Sequence, residues 1–211
     1  ALILGGGLFF LLAEWDNPAT LGDMPGWKRV LNAAFQAVTL RTAGFDTIGQ
    51  GNLRDSSLAM SCILMLIGGS SGSTAGGLKT VTVGVLFLPL RAGLAGREEV
   101  TLRGRSISHR RVMNALTLTL IVAVIFLAGS MIISLVDDVP FLSAAFESAS
   151  AMATVGVTVG ITPTLSLFSH VLLICMMFLG RVGIMSFSIA FLARSKYPAK
   201  IKYPTMDIMI G

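Results

Sequence analysis

Charge is what this sequence lacks most. Only 13% of its 211 residues are Asp, Glu, Lys or Arg, whereas 54% are hydrophobic. A water-soluble domain of this size carries about a quarter of its residues as charges. A chain so far below that level cannot cover a globular surface with hydrated groups, so most of its surface must meet something other than water. Cysteine and histidine are scarce as well, with two of each. Cys62 and Cys175 stand singly inside apolar runs. That excludes a disulfide framework or a Cys-based metal motif, and reads as two buried small hydrophobes. His109 and His170 lie far apart in the chain, and no catalytic constellation gathers around either. No secretory signal is visible either: the opening segment has no basic n-region and no cleavage-site pattern. Ala1 falls inside that stretch without a Met, as in a fragment that starts partway through a helix.

What the sequence does have is long apolar runs. Val112 to Val136 is free of charge, which is enough to cross a hydrocarbon core of about 30 Å. Leu165 to Ala193 is interrupted only by Arg181, and Leu58 to Leu90 only by Lys79. The first thirteen residues read as the end of a fourth span. The net charge of +5 is unevenly placed. Arg91, Arg97, Arg103, Arg105, Arg110 and Arg111 crowd one loop against Glu98 and Glu99, and Arg194, Lys196, Lys200 and Lys202 follow the last run. The acidic residues Glu14, Asp16, Asp23, Asp46, Asp55, Asp137, Asp138 and Glu147 fall in the other connections. This is the positive-inside pattern, with the basic loop and the C-terminus cytoplasmic. No base-reading motif accompanies the basic residues, so nucleic acid is not the partner.

An internal repeat organises the rest. Ala33-Ala34-Phe35-Gln36 echoes Ala144-Ala145-Phe146-Glu147. Thr42-Ala43-Gly44-Phe45 echoes Thr154-Val155-Gly156-Val157 at an offset of 112, and Leu64 to Gly68 echoes Met176 to Gly180 at the same offset. One supersecondary unit used twice accounts for this. Each unit reads as a spanning helix (to Ala13, and 112–136), a short helical segment (27–40, and 140–152), a Gly-containing stretch (42–51, and 154–160) and a returning helix. The short segments have the length of re-entrant pieces; an amphipathic outer loop is the alternative. Non-helical backbone at membrane depth is tolerated only where it is buried in protein or lines a water-filled path. Gly in both stretches therefore points to a permeation path.

The first returning helix contains Gly68-Gly69-Ser70-Ser71-Gly72-Ser73-Thr74-Ala75-Gly76-Gly77 in mid-span. Ten residues with five Gly and no large side chain do not hold a regular helix. A break is expected, with a small-residue packing face as the alternative. Gly72 to Thr80 also mimics a phosphate loop, but Leu78 intervenes before Lys79-Thr80 and no strand precedes it. The second unit places Arg181 at the position of Gly69. A charge in mid-span is costly, and it usually faces the bundle interior and finds a partner there.

These residues, in this order and topology, resemble the C-terminal half of the ion-conducting membrane subunit (KtrB/TrkH-like) of the Trk/Ktr/HKT potassium transporter family. The resemblance rests on Arg41 to Phe45, Gly68 to Thr80, Ala153 to Gly156, Phe178 to Gly183, and the Lys-Tyr-Pro ending with Met209-Ile210-Gly211. It implies an all-α integral membrane fold of two membrane-helix/pore-loop/membrane-helix repeats, half of a four-repeat potassium-channel-like pore. Residues 1–111 would be the third-type repeat with its basic loop, and 112–211 the fourth-type repeat with a cytoplasmic tail. About two more units are expected upstream of Ala1. The implied filter is the backbone of Thr42, Ala43, Gly44 and Phe45 with Thr154, Val155, Gly156 and Val157. There, carbonyl oxygens replace the hydration shell of K⁺. The implied gate is Gly68 to Gly77 with Lys79 and Arg181. The resemblance further implies a cell-membrane homodimer in contact with lipid, docked on a cytosolic nucleotide-binding regulatory subunit (KtrA/TrkA-like). It implies no cofactor beyond the transported K⁺, with Na⁺ or H⁺ coupling left open, and no enzymatic activity. A membrane ATPase or nucleotide-binding protein using Gly72–Thr80, and a non-conducting scaffold, are the alternatives.

Overall fold

The uncharged run around residue 120 lies inside the longest helix among the described residues. In a computed structural model, which describes residues 2–70, 72–73, 75–96, 101–102 and 105–182, the helices run as follows. They are α1 (Leu2–Ala13), α2 (Gly26–Thr39), α3 (Asp55–Leu66), α4 (Thr80–Leu94), α5 (His109–Asp137), α6 (Phe141–Ala153) and α7 (Leu167–Val182). Expectations placed on Ser71, Thr74, Arg97, Glu98, Glu99, Arg103 and everything from Gly183 onward lie outside the described residues. The 29 residues of α5 extend about 43 Å at 1.5 Å per residue. Among the described residues α5 alone is long and apolar enough to cross a membrane; α1, α3, α4 and α7 are shorter apolar helices. Their outward faces carry large exposed side chains, among them Leu4, Leu12, Leu94, Val124, Leu135, Leu167 and Phe178. Apolar exposure on this scale marks a surface that meets a partner or a lipid phase.

The fold is mostly helical, as expected, with one minimal antiparallel pairing of Thr101–Leu102 (β1) with Arg105–Ser106 (β2) in the basic loop. One expectation is corrected. Cys62 is buried in α3, but Cys175 is exposed on α7, on the same outward stretch as Ile174 and Phe178. Helical phase decides this, since the buried face of α7 runs through Ser169, Leu173, Met176 and Gly180.

The two short segments differ in how they are packed. α2 follows Pro25 and buries one stripe, Ala33, Gln36, Ala37 and Thr39, against α1. α6 follows Pro140 and buries every residue from Ala144 to Ala153. It packs on α3, α5 and α7 and touches both apolar clusters, one spanning α1, α2, α3 and α6, the other α5, α6 and α7. Small Ala and Ser side chains let three helices approach α6 at once. At Gly180 the approach is closest, for a Cβ there would collide with the Met152 carbonyl oxygen.

A carboxylate at the end of each unit's first helix caps the second helix. Glu14 Oε1 accepts the Arg54 N–H at 3.0 Å. Asp137 Oδ1 accepts the Ser166 N–H at 2.7 Å, and its other oxygen accepts the Ser169 hydroxyl. Arg54 and Ser166, like Ser57 and Ser169, are separated by the repeat offset of 112. Acids at a helix N-terminus satisfy free N–H groups and complement the dipole. Glu14 is fully buried and also accepts Asn17 Nδ2 at 2.6 Å and the Thr20 hydroxyl at 2.8 Å. Burial pushes its carboxyl up. The Ser57 hydroxyl, which stands near but outside hydrogen-bond geometry, acts with Asn17, the Arg54 N–H and Thr20 to outweigh burial and hold it below the usual carboxylate value. A depressed folded-state value stabilises the fold above the unfolded value and ceases to do so as pH falls through the folded one. Glu14→Ala should therefore destabilise the detergent-solubilised protein at neutral pH by about 3 kcal/mol, the cost of two or three orphaned donors. The difference from wild type in thermal unfolding should shrink in acid. An unchanged melting temperature at neutral pH would refute the cap.

Candidate functional site

The site begins where the two short helices end. α2 closes at Leu40, and Thr42 then adopts φ 73° and Gly44 φ 79°. α6 closes at Thr154 with φ 56°, and Gly156 follows with φ 94°. Positive φ is natural for Gly but a genuine outlier for a β-branched residue. Two Thr residues held this way at equivalent positions are strained backbone of the kind that persists when the surroundings over-determine it. The strain is held from behind. Thr39 Oγ1 donates to the Phe45 carbonyl at 2.5 Å and accepts the Phe45 N–H at 2.8 Å. Ser150 Oγ donates to the Val157 carbonyl at 2.6 Å and accepts the Gly156 N–H at 3.2 Å. The two segments meet, since a Cβ on Gly44 would abut the Val155 carbonyl oxygen.

Outside these segments, polar side chains from the short helices brace the chain. Glu147, nearly buried, accepts the Thr158 hydroxyl, the Val159 N–H at 3.0 Å and the Thr162 hydroxyl at 2.9 Å. At its repeat position Gln36 pairs with Gln50 through both amides. The carboxylate of that unit comes instead from Asp46, which accepts the N–H groups of Ile48, Gly49 and Gln50 and the Gln50 amide. Burial raises the Asp46 carboxyl, and these donors, Gln50 foremost, outweigh it and hold it below its usual value.

The expected break is present between α3 and α4. Leu78 bridges back to Ile67, its N–H reaching the Leu66 carbonyl at 2.9 Å, and the Thr80 N–H reaches the Gly69 carbonyl at 3.1 Å. Carbonyls freed by the break are met by cations. Lys79 Nζ donates to the carbonyls of Ala75 at 2.6 Å and Ser73 at 3.0 Å. Arg41 donates to the Gly68 carbonyl at 2.6 Å. The loop also touches the second unit, where the Gly76 N–H donates to Thr154 Oγ1 at 3.1 Å. A cavity of about 580 Å³ joins Thr154, Gly156 and Glu147 to Met177 and Arg181. The structure thus brings together Gly44 with Val155, Thr154 with Gly76, and Arg181 with Thr154 and Gly156. Sequence reasoning missed Thr39 and Ser150, treated Gln36 and Glu147 only as members of an echo or a charge pattern, and took Arg41 only as the start of the Arg41 to Phe45 motif. Extending the Ala-Ala-Phe echo three residues past Gln36 and Glu147 reaches Thr39 and Ser150, the trace that could have found them.

Comparison with known proteins gives the family and supports the helical fold. Residues 7–199 match the family described as TrkH, cation transport protein. The chain is 38% identical to the potassium/sodium uptake protein NtpJ of Enterococcus hirae, over all of this chain and 48% of that protein. It is 34% identical to the Ktr system potassium uptake protein B of Bacillus subtilis, over 97% of this chain and 45% of that one. It therefore spans about half the length of the curated relatives it matches. In fold it resembles the crystal structure of the potassium transporter TrkH from Vibrio parahaemolyticus, with a TM-score of 0.71 and 23% identity, over 90% of this chain and 42% of that one. The chain belongs to the TrkH family of cation transport proteins.

Proposed function

We propose that this chain forms half of the ion-conducting subunit of a potassium uptake system in the cell membrane, with its basic loop on the cytoplasmic side. The observation that carries the reading is the convergence of two helix C-termini, α2 and α6, on paired Thr/Gly segments with matching left-handed residues. A helix C-terminus presents partial negative charge and free carbonyls, which favour a cation beside it. Segments Thr42–Phe45 and Thr154–Val157 supply backbone carbonyls to K⁺, and Gly68–Gly77, Lys79 and Arg181 gate the path beneath. The Gly76 contact with Thr154 supports that placement, because it sets the glycine-rich loop against the first residue of a filter segment. It also weakens the phosphate-loop alternative: Lys79 is engaged with the loop's own carbonyls. The matched relatives include potassium uptake proteins of named Ktr systems. By analogy a cytosolic nucleotide-binding subunit docks on the basic loop of a dimer. The complete gene product should restore growth of a potassium-uptake-deficient bacterium at low K⁺. Absence of rescue by a protein that reaches the membrane would overturn conduction.

A further inference from the structure

We propose that Thr39 and Ser150 are positioning residues that set cation selectivity, because each ties the fourth carbonyl of its filter segment back to its own short helix. This inference deepens the conduction reading and rests on it. Thr39 is fully buried and Ser150 nearly so. Each has one hydroxyl proton, and each donates it to the same repeat position, the carbonyl of Phe45 or of Val157. Each hydroxyl also accepts an N–H from the same segment, from Phe45 in the first unit and Gly156 in the second. Each segment is thus tied to a helix residue by a two-bond ring. A buried ring of this kind is not exchanged for bonds to water, so it holds the backbone in one geometry.

The consequence is a narrower filter than the four-residue segments suggest. A carbonyl that accepts the hydroxyl proton of its own helix already has a hydrogen-bond partner there and is a poorer ligand for a passing cation. The ion-facing set in these two units then reduces to the carbonyls of Thr42, Ala43 and Gly44 and of Thr154, Val155 and Gly156. That is the stretch in which φ is positive at the first and third residues and not at the second. The clamp occurs twice, on chemically different hydroxyl residues 111 positions apart, which a merely local helix-end contact would not require. Selectivity for K⁺ over a smaller cation depends on the number and placement of carbonyls. Releasing the fourth carbonyl changes both.

The test uses the complete protein in a potassium-uptake-deficient bacterium. K⁺ uptake is measured against competing Na⁺, with apparent KM and maximal rate separated. Thr39→Val keeps the shape and removes the hydroxyl, Ser150→Ala does the same on the second unit, and Thr39→Ser restores the donor. Each of the first two should lower the K⁺/Na⁺ preference roughly tenfold, through KM more than through maximal rate, the scale of one buried hydrogen bond. Thr39→Ser should match wild type. A wild type that carries no K⁺ overturns the conduction reading and this inference with it. Wild-type uptake with unchanged preference in Thr39→Val and Ser150→Ala overturns the clamp alone. Should Thr39→Val fail to accumulate, Thr39→Ala takes its place. Loss of both from the membrane, with Thr39→Ser retained, would make the clamp a folding element and overturn its role in selectivity.

Discussion

Gly44→Ser should collapse the preference for K⁺ over Na⁺ by roughly a hundredfold, and Gly156→Ser by roughly tenfold. Both glycines sit at positive φ, so an L side chain costs about 1–2 kcal/mol at either. Only Gly44 adds a collision. Its new Cβ would run into the Val155 carbonyl oxygen, which belongs to the backbone of the other unit and cannot rotate aside. A Cβ on Gly156 meets nothing within 4 Å. The first substitution would therefore displace both proposed filter segments and the second would strain one. Competition of Na⁺ with K⁺ uptake in cells expressing each variant measures the difference. Equal effects, or a larger effect at Gly156, would show that the contact between the two segments does not shape the filter.

The second large effect concerns throughput. Deleting Ser70 to Ala75 should raise the maximal rate of K⁺ uptake roughly tenfold, and Arg181→Ala should do likewise, with apparent affinity nearly unchanged. The deletion removes part of a loop whose neighbours hold it in place: Arg41 binds the Gly68 carbonyl, Lys79 the carbonyls of Ser73 and Ala75, and Gly76 the Thr154 hydroxyl. Arg181 shares a cavity with Thr154 and Gly156. In the proposed gate a guanidinium there would oppose a cation leaving the segment, and removing it would lower that barrier. Affinity would be set at the proposed filter segments, which neither change alters. Uptake that falls in both variants, at normal membrane levels, would make this region a structural prop.

Much of this arrangement was legible from residue order, and the part that was not has a common cause. The short segments at 27–40 and 140–152 became Gly26–Thr39 and Phe141–Ala153, because Pro25 and Pro140 set their starts and the Thr/Gly pairs set their ends. The break in the run from Leu58 to Leu90 was legible because Gly-rich backbone cannot hold a helix at that length. Arg41 was not legible as a partner of that break. Its contact with Gly68 crosses 27 positions and exists only once α3 folds beside the end of α2. Thr39 and Ser150 looked like ordinary small residues on a helix face, since the carbonyls they bind belong to backbone that turns back on them. Cys175 was misplaced because an apolar run records hydrophobicity, not which side of a helix faces inward.

The caps made by Glu14 and Asp137 have a mechanical consequence. Each joins the far end of a unit's first helix to the near end of its second, so both units are stitched shut along one edge of the fold. Among the described residues the opposite edge has no such stitch in the first unit. There α3 stops at Leu66, and α4 rests on α5 without burying one of its own residues. A displacement of α4 would therefore forfeit little apolar contact, whereas spreading at the first unit's stitch would expose the buried carboxylate of Glu14. The fold is a fixed rim with one looser leaf, and among the described residues the loop leading into that leaf is tied to the Thr/Gly segments by the Gly76 N–H on Thr154 and by Arg41 on the Gly68 carbonyl.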